Sequence, residues 1–244
     1  LGGQLKFFIA GGAALNPEIG NFFMALGINL LQGYGQTEAS PLISANRPGR
    51  IKIETVGPVV SGVDMKIADD GEILVRGDLL MKGYWRDEAA TAAVIQDGWL
   101  HTGDLGEVDR EGYISITGRK KDIIVNSGGD NIAPGRVEAL LTIEPEIEQA
   151  MVDGDKRPWL AAVIVPSEEV RTLASSPDAL ATMVGEAVDR ANSRLSQLER
   201  VRRFIIADEP FSTENGQMTA TLKVRRHIVR VLYEDRLAAL YPQK

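Results

Sequence analysis

The sequence predicts a mixed fold in three successive segments: α/β at residues 1–58, β-rich at 59–118 and α+β at 119–244. In the first segment, short apolar runs that end in glycines are separated by a helical pattern, which is typical of parallel α/β units. In the second, glycine-bounded runs alternate apolar and polar residues, as half-buried strands do. The third mixes strand-like runs with helical stripes, and the best boundary before it lies at 118–122, where four charged residues follow a strand.

The α/β segment begins with an apolar run at 5–10, which predicts a buried parallel strand ending in two glycines. Asn16-Pro17 predicts the start of a helix, because proline suits the first helical turn. A second strand is predicted at 28–32, followed by a glycine-rich turn at 33–35. The apolar residues Ile19, Phe22, Phe23 and Leu26 fit one face of this helix.

Strands and helices also alternate in the rest of the chain. Strands are predicted at 72–76 and 113–117 with a short helix at 87–94 between them, and further strands at 159–165 and 201–206.

Two longer helices are predicted in the last segment. Ser176-Pro177 is a strong cap and first-turn pair, and a final helix is predicted at 224–240. The first of these helices carries one apolar stripe, made of Leu180, Met183, Val184, Ala187, Val188, Ala191, Leu195 and Leu198.

Composition excludes several classes of function. The 244 residues are 44% hydrophobic and 25% charged, which is ordinary for a soluble globular protein, and the net charge of −7 argues against a general nucleic-acid coat. With no cysteine and only two histidines, the chain cannot use a disulfide, a cysteine nucleophile or a multi-histidine metal site. No apolar run reaches the length that spans a membrane, and no signal peptide is visible. The chain opens at Leu1 directly into an apolar run, as expected of one that begins inside a domain.

The stretch from 97 to 122 carries the most informative pattern. Asp104, between two strand signals, can accept hydroxyl hydrogen bonds, and the basic run Arg119, Lys120 and Lys121 follows. This combination suits a ribose phosphate. Taken singly, however, Asp104 is better explained as a turn residue and Arg119 as a surface cation.

A second pattern, GYGQTE, begins at residue 33. Tyr34 offers a ring face for a base, Thr37 can bond a phosphate and Glu38 can hold Mg²⁺ through oxygen. A core tyrosine with Thr37 as a helix cap explains the same residues about equally well.

Three weaker patterns are open to simpler explanations. Gly11-Gly12-Ala13 and the loop around Gly128 can admit a flat or narrow ligand, or can be plain turns. Lys223 can be a catalytic cation, although a lysine before a basic helix is more often only solvated.

Together, these motifs resemble the AMP-forming acyl-CoA synthetases of the adenylate-forming superfamily. AGGAAL, GYGQTEAS, GEILVRGDLLMKGYW, DGWLHTGD and GRKKDIIVNSGGDNIAP follow one another in the family's order, over nearly the whole chain. The resemblance implies the C-terminal portion of such an enzyme: an α/β part of the large adenylate-binding domain, a β-rich subdomain and a small mobile α+β domain.

For the nucleoside, the resemblance implies a site built from five residues. Gly12 and Ala13 would line the adenine side, and Tyr34 would stack on the base. Asp104 would hold the ribose hydroxyls, with Arg119 assisting.

For the phosphates and the second domain, the resemblance implies the other roles. Thr37 would contact the α-phosphate and Glu38 would bind Mg²⁺. Lys223 would reach the reaction centre during adenylation, Lys121 would be the hinge and Gly128 would flank the pantetheine channel.

Two departures from the family pattern stand out. The segment that ends at Lys223 lacks the common Ser-Gly-Lys and is similar to the long-chain branch. The family's N-terminal portion, with its triphosphate loop, is not in the sequence, so the chain alone is expected to be inactive.

The activity implied for the whole enzyme is fatty-acid–CoA ligation with ATP, Mg²⁺ and coenzyme A. The expected partners are a fatty acid and the N-terminal part of the same enzyme, without nucleic acid or a transmembrane segment. The expected location is cytoplasmic, with peripheral contact to the inner membrane face. Two alternatives stay open: an adenylating enzyme that loads a carrier protein, and a non-catalytic module that binds nucleotide or CoA.

Overall fold

A computed structural model describes residues 2–13 and 15–242. The chain divides into two compact units, Leu1–Lys121 and Asp122–Lys244. Each unit has its own sheets and its own buried core.

The first unit opens with a small mixed sheet of three strands in the order β1-β2-β3. Strands β1 and β2 are parallel, and β3 is antiparallel to β2. Helix α1 connects the two parallel strands. Its cap, Asn16, accepts a hydrogen bond from the Glu18 amide at 2.8 Å. The bounds are β1 Phe7–Ala10, α1 Pro17–Ala25, β2 Asn29–Tyr34 and β3 Ser44–Ala45.

Two predictions for this region are wrong: the burial of β1 and the position of the turn at 33–35. Strand β1 is parallel as expected but not buried, since Ile9 is 74% exposed and β1 has a strand partner on one side only. Ile19, Phe22 and Leu26, on the expected apolar face of α1, are exposed as well. The predicted turn at 33–35 is also too early, because β2 continues to Tyr34 and Gly33 pairs with Ala45.

The second sheet of this unit has five antiparallel strands in the order β4-β5-β7-β6, with β8 paired to β7. The predicted helix at 87–94 is confirmed as α2, which Asp87 caps at the Ala90 amide. Strand β5 does not alternate as predicted, because its first four residues are all buried. The bounds are β4 Val63–Ile67, β5 Glu72–Gly77, α2 Glu88–Val94, β6 Ile95–Gln96, β7 Trp99–Val108 and β8 Ile114–Arg119.

Asp104 is not a turn residue. It lies within β7, where it pairs in register with Arg119 of β8. The two residues are therefore cross-strand neighbours, whose side chains lie on the same face of the sheet.

The second unit is built on a three-stranded sheet in the order β11-β12-β13. The first pair of strands is antiparallel and the second pair is parallel. The bounds are β9 Ile124–Val125, β10 Asn131–Ile132, α3 Pro134–Leu141, β11 Ile147–Asp153, β12 Leu160–Pro166, α4 Glu168–Leu173, α5 Pro177–Asn192, β13 Val201–Ile206, α6 Arg226–Leu232 and α7 Glu234–Ala239.

Every residue of β12 is buried, because helices cover both faces of this sheet. Helices α3 and α5 share one core cluster with it, and α6 and α7 share the other. The predicted strand at 201–206 and the helix start at Ser176-Pro177 are confirmed.

The sequence predictions that are wrong in this unit concern where the helices end. Helix α5 stops at Asn192, so Leu195 and Leu198 of the predicted stripe lie outside it; Leu195 is buried and Leu198 is exposed. The predicted final helix is two helices that meet at Tyr233, whose buried side chain accepts a hydrogen bond from the Asp208 amide at 2.9 Å. Across residues 2–13 and 15–242, no helix has the length and apolar character needed to cross a membrane.

Candidate functional site

The ends of β1 and β2 bring two glycine-containing loops to one edge of the first sheet, because parallel strands end at the same edge. Gly12, after β1, has φ of +82° and open space where a side chain would begin. Gly35, after β2, is crowded: a Cβ there would lie 1.7 Å from the Pro41 carbonyl oxygen. One loop is therefore open to a ligand and the other is folded tightly on itself.

Tyr34, the last residue of β2, contacts the Asp104–Arg119 pair. The Tyr34 hydroxyl donates to Asp104 Oδ2 at 2.7 Å, and Arg119 Nε lies 3.0 Å from Asp104 Oδ1. Asp104 itself is only 4% exposed. The structure thus places together three residues that the sequence assigned to one nucleoside site.

The part of strand β7 just before Asp104 is held by hydrogen bonds to buried groups. The Thr102 hydroxyl donates to the Ile73 carbonyl at 2.7 Å and accepts from the Asp104 amide at 3.1 Å. Glu72, also buried, accepts from the Gly103 amide at 2.9 Å. The backbone that carries Asp104 is therefore fixed from strand β5.

Glu72 also binds two basic side chains. Lys120 Nζ and His101 Nδ1 lie 3.0 Å and 3.1 Å from its Oε2 atom. Burial acts to raise the pKa of Glu72, but the bonds from His101, Lys120 and the Gly103 amide outweigh it and lower that pKa. Sequence reasoning missed Glu72, because only the antiparallel register brings it next to residues about thirty positions later.

Thr37 and Glu38 begin a short 3-10 turn, Thr37–Ala39, that follows β2. The cap of this turn is Gln36, so Thr37 is not a cap, and its side chain is exposed. The Tyr84 hydroxyl donates to Glu38 Oε1 at 2.8 Å, and this bond, followed by burial, raises the pKa of Tyr84. Tyr84 is a second residue that sequence reasoning missed.

Glu38 is the one predicted metal ligand. Among the described residues, no group of three or more histidine, cysteine, aspartate or glutamate side chains could hold a metal. Mg²⁺ is commonly bound by one or two carboxylates together with substrate phosphates and waters. A single partly exposed carboxylate fits that mode of binding.

Lys223 closes a tight turn in the second unit. The Thr219 amide donates to the Lys223 carbonyl at 2.9 Å, and the Lys223 amide donates to Thr219 Oγ1 at 3.1 Å. Helix α6 then begins at Arg226, whose guanidinium pairs with the half-buried carboxylate of Glu138. The turn therefore presents the exposed Lys223 side chain from an anchored base.

Gly128 lies in an exposed turn that Asn126 closes. Asn126 Oδ1 accepts from the amides of Gly128 and Asp130 at 2.8 Å and 2.9 Å. Lys121 is in the 3-10 turn Lys120–Asp122 and is the last residue of the first unit. Lys223 and Gly128 belong to the second unit.

Comparisons with known proteins identify the class of this chain. Residues 1–85 match the family described as AMP-binding enzyme, and residues 121–244 match the AMP-binding enzyme C-terminal domain. The chain belongs to the AMP-binding enzymes, which confirms the resemblance drawn from its motifs.

Individual relatives are substantially longer than this chain. Long-chain-fatty-acid–CoA ligase FadD15 of Mycobacterium bovis is 40% identical over 99% of the chain, which spans 43% of that protein. Long-chain-fatty-acid–[acyl-carrier-protein] ligase AEE15 of Arabidopsis thaliana is 33% identical over 98% of the chain and 36% of its own length. The A domain of a carboxylic acid reductase from Segniliparus rugosus, solved with AMP and a co-purified carboxylic acid, superposes with a TM-score of 0.82 at 28% identity. That match covers 96% of this chain and 38% of the solved one. The expected mixed α/β fold is therefore confirmed.

Proposed function

We propose that this chain is the C-terminal part of an ATP-dependent, AMP-forming fatty-acid–CoA ligase. The observation that carries the proposal is the Asp104 carboxylate, buried between Tyr34 and Arg119 in an AMP-binding enzyme. Asp104 would accept hydrogen bonds from the ribose hydroxyls with Arg119 beside it, and Tyr34 would stack on adenine. Gly12 and Ala13 would line the adenine side of the open loop after β1.

The phosphate end of the nucleotide would lie at the turn after β2. Thr37 would bond the α-phosphate, and Glu38 would hold Mg²⁺, which when bound offsets the negative charge of the phosphates. Lys223 would bring a second positive charge to the reaction centre during adenylation.

The reaction proposed for the whole enzyme has two halves. A fatty-acid carboxylate oxygen attacks the α-phosphorus of ATP, and pyrophosphate leaves. The CoA thiol then attacks the acyl carbon, and AMP leaves. Neither half needs a nucleophile from the protein, so catalysis rests on positioning and charge. Between the two half-reactions, the second unit would rotate about Lys121. This rotation would move Lys223 away from the reaction centre and bring the CoA channel beside Gly128 to it.

The names of the relatives favour a long-chain fatty acid as substrate, and they also support a second candidate for the acceptor. FadD15 is named for CoA and AEE15 for an acyl carrier protein. In the full-length enzyme, acyl transfer from the adenylate to CoA, but not to a carrier protein, would support the first reading. The reverse result would support the second.

For the chain as it stands, we propose nucleotide binding without adenylation, because it spans 43% of FadD15 and carries no triphosphate loop. It would act together with the N-terminal part of the enzyme. A cytoplasmic location with peripheral membrane contact stays a prediction. ATP–pyrophosphate exchange by the chain alone would contradict the absence of adenylation.

The test of the nucleotide site is calorimetric titration of the chain with AMP. Asp104→Asn should weaken AMP binding at least about tenfold, because a charged acceptor is lost. Asp64→Asn is the matched control, since Asp64 pairs with Arg76 across neighbouring strands of the same sheet but is exposed. Unchanged affinity in Asp104→Asn would refute the site, and absence of any AMP binding would refute the binding module as well.

A further inference from the structure

We propose that the Tyr34 hydroxyl is a positioning group that orients the Asp104 carboxylate toward the ribose hydroxyls. This inference rests on the proposed nucleotide site and adds a role for the hydroxyl that is separate from stacking by the ring. It makes Tyr34 a determinant of ribose recognition.

The carboxylate of Asp104 is held from two sides. Tyr34 ends strand β2, and its hydroxyl reaches Asp104 Oδ2 at 2.7 Å across 70 positions of sequence. On the neighbouring strand β8, Arg119 Nε lies 3.0 Å from Asp104 Oδ1, and the two residues are paired in the register of β7 and β8. The terminal torsion of an aspartate is broad and roughly two-fold when it is free. The Tyr34 hydrogen bond at one oxygen and the Arg119 ion pair at the other restrict that freedom.

The acceptor capacity that remains matches a ribose. An ionised carboxylate offers about four lone-pair positions, two on each oxygen. Tyr34 uses one position on Oδ2, and the Arg119 guanidinium lies beside Oδ1 as an ion-pair partner, so the bonds of the described residues leave an acceptor position on each oxygen. Two neighbouring hydroxyls, each donating one hydrogen, would fill these positions. Because Asp104 is 4% exposed, few directions of approach are open to them.

A phenol is suited to this task because it stays a donor. Burial, followed by the negative charge of Asp104, raises the pKa of Tyr34 well above its usual range. The hydroxyl is therefore protonated at neutral pH. It is also uncharged, so it orients the carboxylate without neutralising it.

The test separates the hydroxyl from the ring by using Tyr34→Phe. Calorimetry would compare the binding of AMP with that of 2′,3′-dideoxyadenosine monophosphate. We expect Tyr34→Phe to weaken AMP binding about tenfold and to leave the dideoxy compound within about twofold, because only AMP uses the oriented carboxylate. The matched control is Tyr113→Phe, which removes another hydroxyl bond in this unit, to the Arg50 carbonyl at 3.2 Å. It should affect neither ligand.

Equal weakening of both nucleotides by Tyr34→Phe would overturn the inference, because it would indicate a stacking or general structural effect. If the unsubstituted chain binds no AMP, the proposed nucleotide site fails first, and the ribose role of Tyr34 fails with it. The hold of Tyr34 on Asp104 is then decided without a ligand, by urea unfolding of Tyr34→Phe, Asp104→Asn and the double variant. The losses of stability in the two single variants should not add in the double variant, because the two side chains share one hydrogen bond. Strictly additive losses would overturn the positioning role too.

Discussion

Glu72 shows how a single buried carboxylate supports a site that it does not enter. It binds the Gly103 amide, Lys120 and His101, and so fixes the backbone that carries Asp104. Its lowered pKa means that the folded chain favours the ionised form. The stability of the first unit should therefore depend on this charge.

We predict that Glu72→Gln changes the pH dependence of unfolding. A carboxylate with a lowered folded pKa stabilises the fold above its unfolded pKa, about 4.3 for glutamate, and loses this effect as pH falls through the folded value. At pH 7 the variant should be less stable by about 1–3 kcal/mol. It should also lose less stability than the unsubstituted chain as pH falls below about 4.3.

Urea unfolding across this pH range measures both effects. Glu107→Gln, at an exposed position of β7, is the control. Parallel pH profiles for Glu72→Gln and the unsubstituted chain would contradict the prediction.

Only glycine fits at position 35, for steric reasons. We predict that Gly35→Ala destabilises the first unit by about 1–3 kcal/mol, because the new Cβ would meet the Pro41 carbonyl at 1.7 Å. Chemical denaturation measures this change. Gly49→Ala tests conformational strain alone, since Gly49 has φ of +76° with open space around it. A smaller loss in Gly35→Ala than in Gly49→Ala would show that the loop can move aside.

At the residue scale, the sequence suggested Asp104 and Arg119 as one ribose-phosphate group, because a hydroxyl acceptor is followed by a guanidinium, and the family resemblance kept them together. The same patterns could not show that the Tyr34 hydroxyl binds Asp104, since these residues are 70 positions apart and belong to different sheets. Glu72 and Tyr84 went unnoticed for a similar reason. A carboxylate and a phenol have no periodic signal, and only tertiary structure gives them partners.

At the scale of elements, helix α5 begins where its sequence predicts. The Ser176 side chain accepts from the Ala179 amide at 3.2 Å, and Pro177 occupies the first turn. We predict that Ser176→Ala destabilises the second unit by about 1 kcal/mol, through the loss of this cap. Ser167→Ala is the comparison, because Ser167 caps the shorter helix α4 with a longer bond of 3.5 Å. Thermal unfolding measures both. An effect of Ser167→Ala equal to or larger than that of Ser176→Ala would argue against the cap as the cause.

Elements were predictable where local signals and tertiary packing agree. Helix α2, with its aspartate cap, and strand β13 both fall within a residue of the sequence prediction. The final helix was predicted as one, whereas α6 and α7 are separated at Tyr233, which flanks both helices and has a buried side chain. The exposure of β1 and α1 could not be predicted either, since an apolar pattern shows which residues favour burial but not whether a neighbour covers them.

At the scale of the whole molecule, burial is organised around two separate centres. The first unit packs Ile73, Val75, Leu100 and Ile114 into one cluster. The second unit packs both faces of β12. Each unit therefore has the apolar core that an independently folding body requires.

We predict that the two units open independently, as measured by amide hydrogen exchange. Leu160→Ala in β12 and Leu100→Ala in β7 each remove a fully buried side chain, and such changes cost about 2–5 kcal/mol. Exchange should quicken throughout 122–244 for Leu160→Ala and within the five-stranded sheet for Leu100→Ala, with the other unit unchanged in each case. The physical reason is that a cavity weakens the cooperative unit whose core contains it. The two variants serve as each other's control, because both delete the same atoms from equally buried sites. If either variant accelerates exchange in both units, the chain unfolds as one cooperative body, and the prediction is wrong.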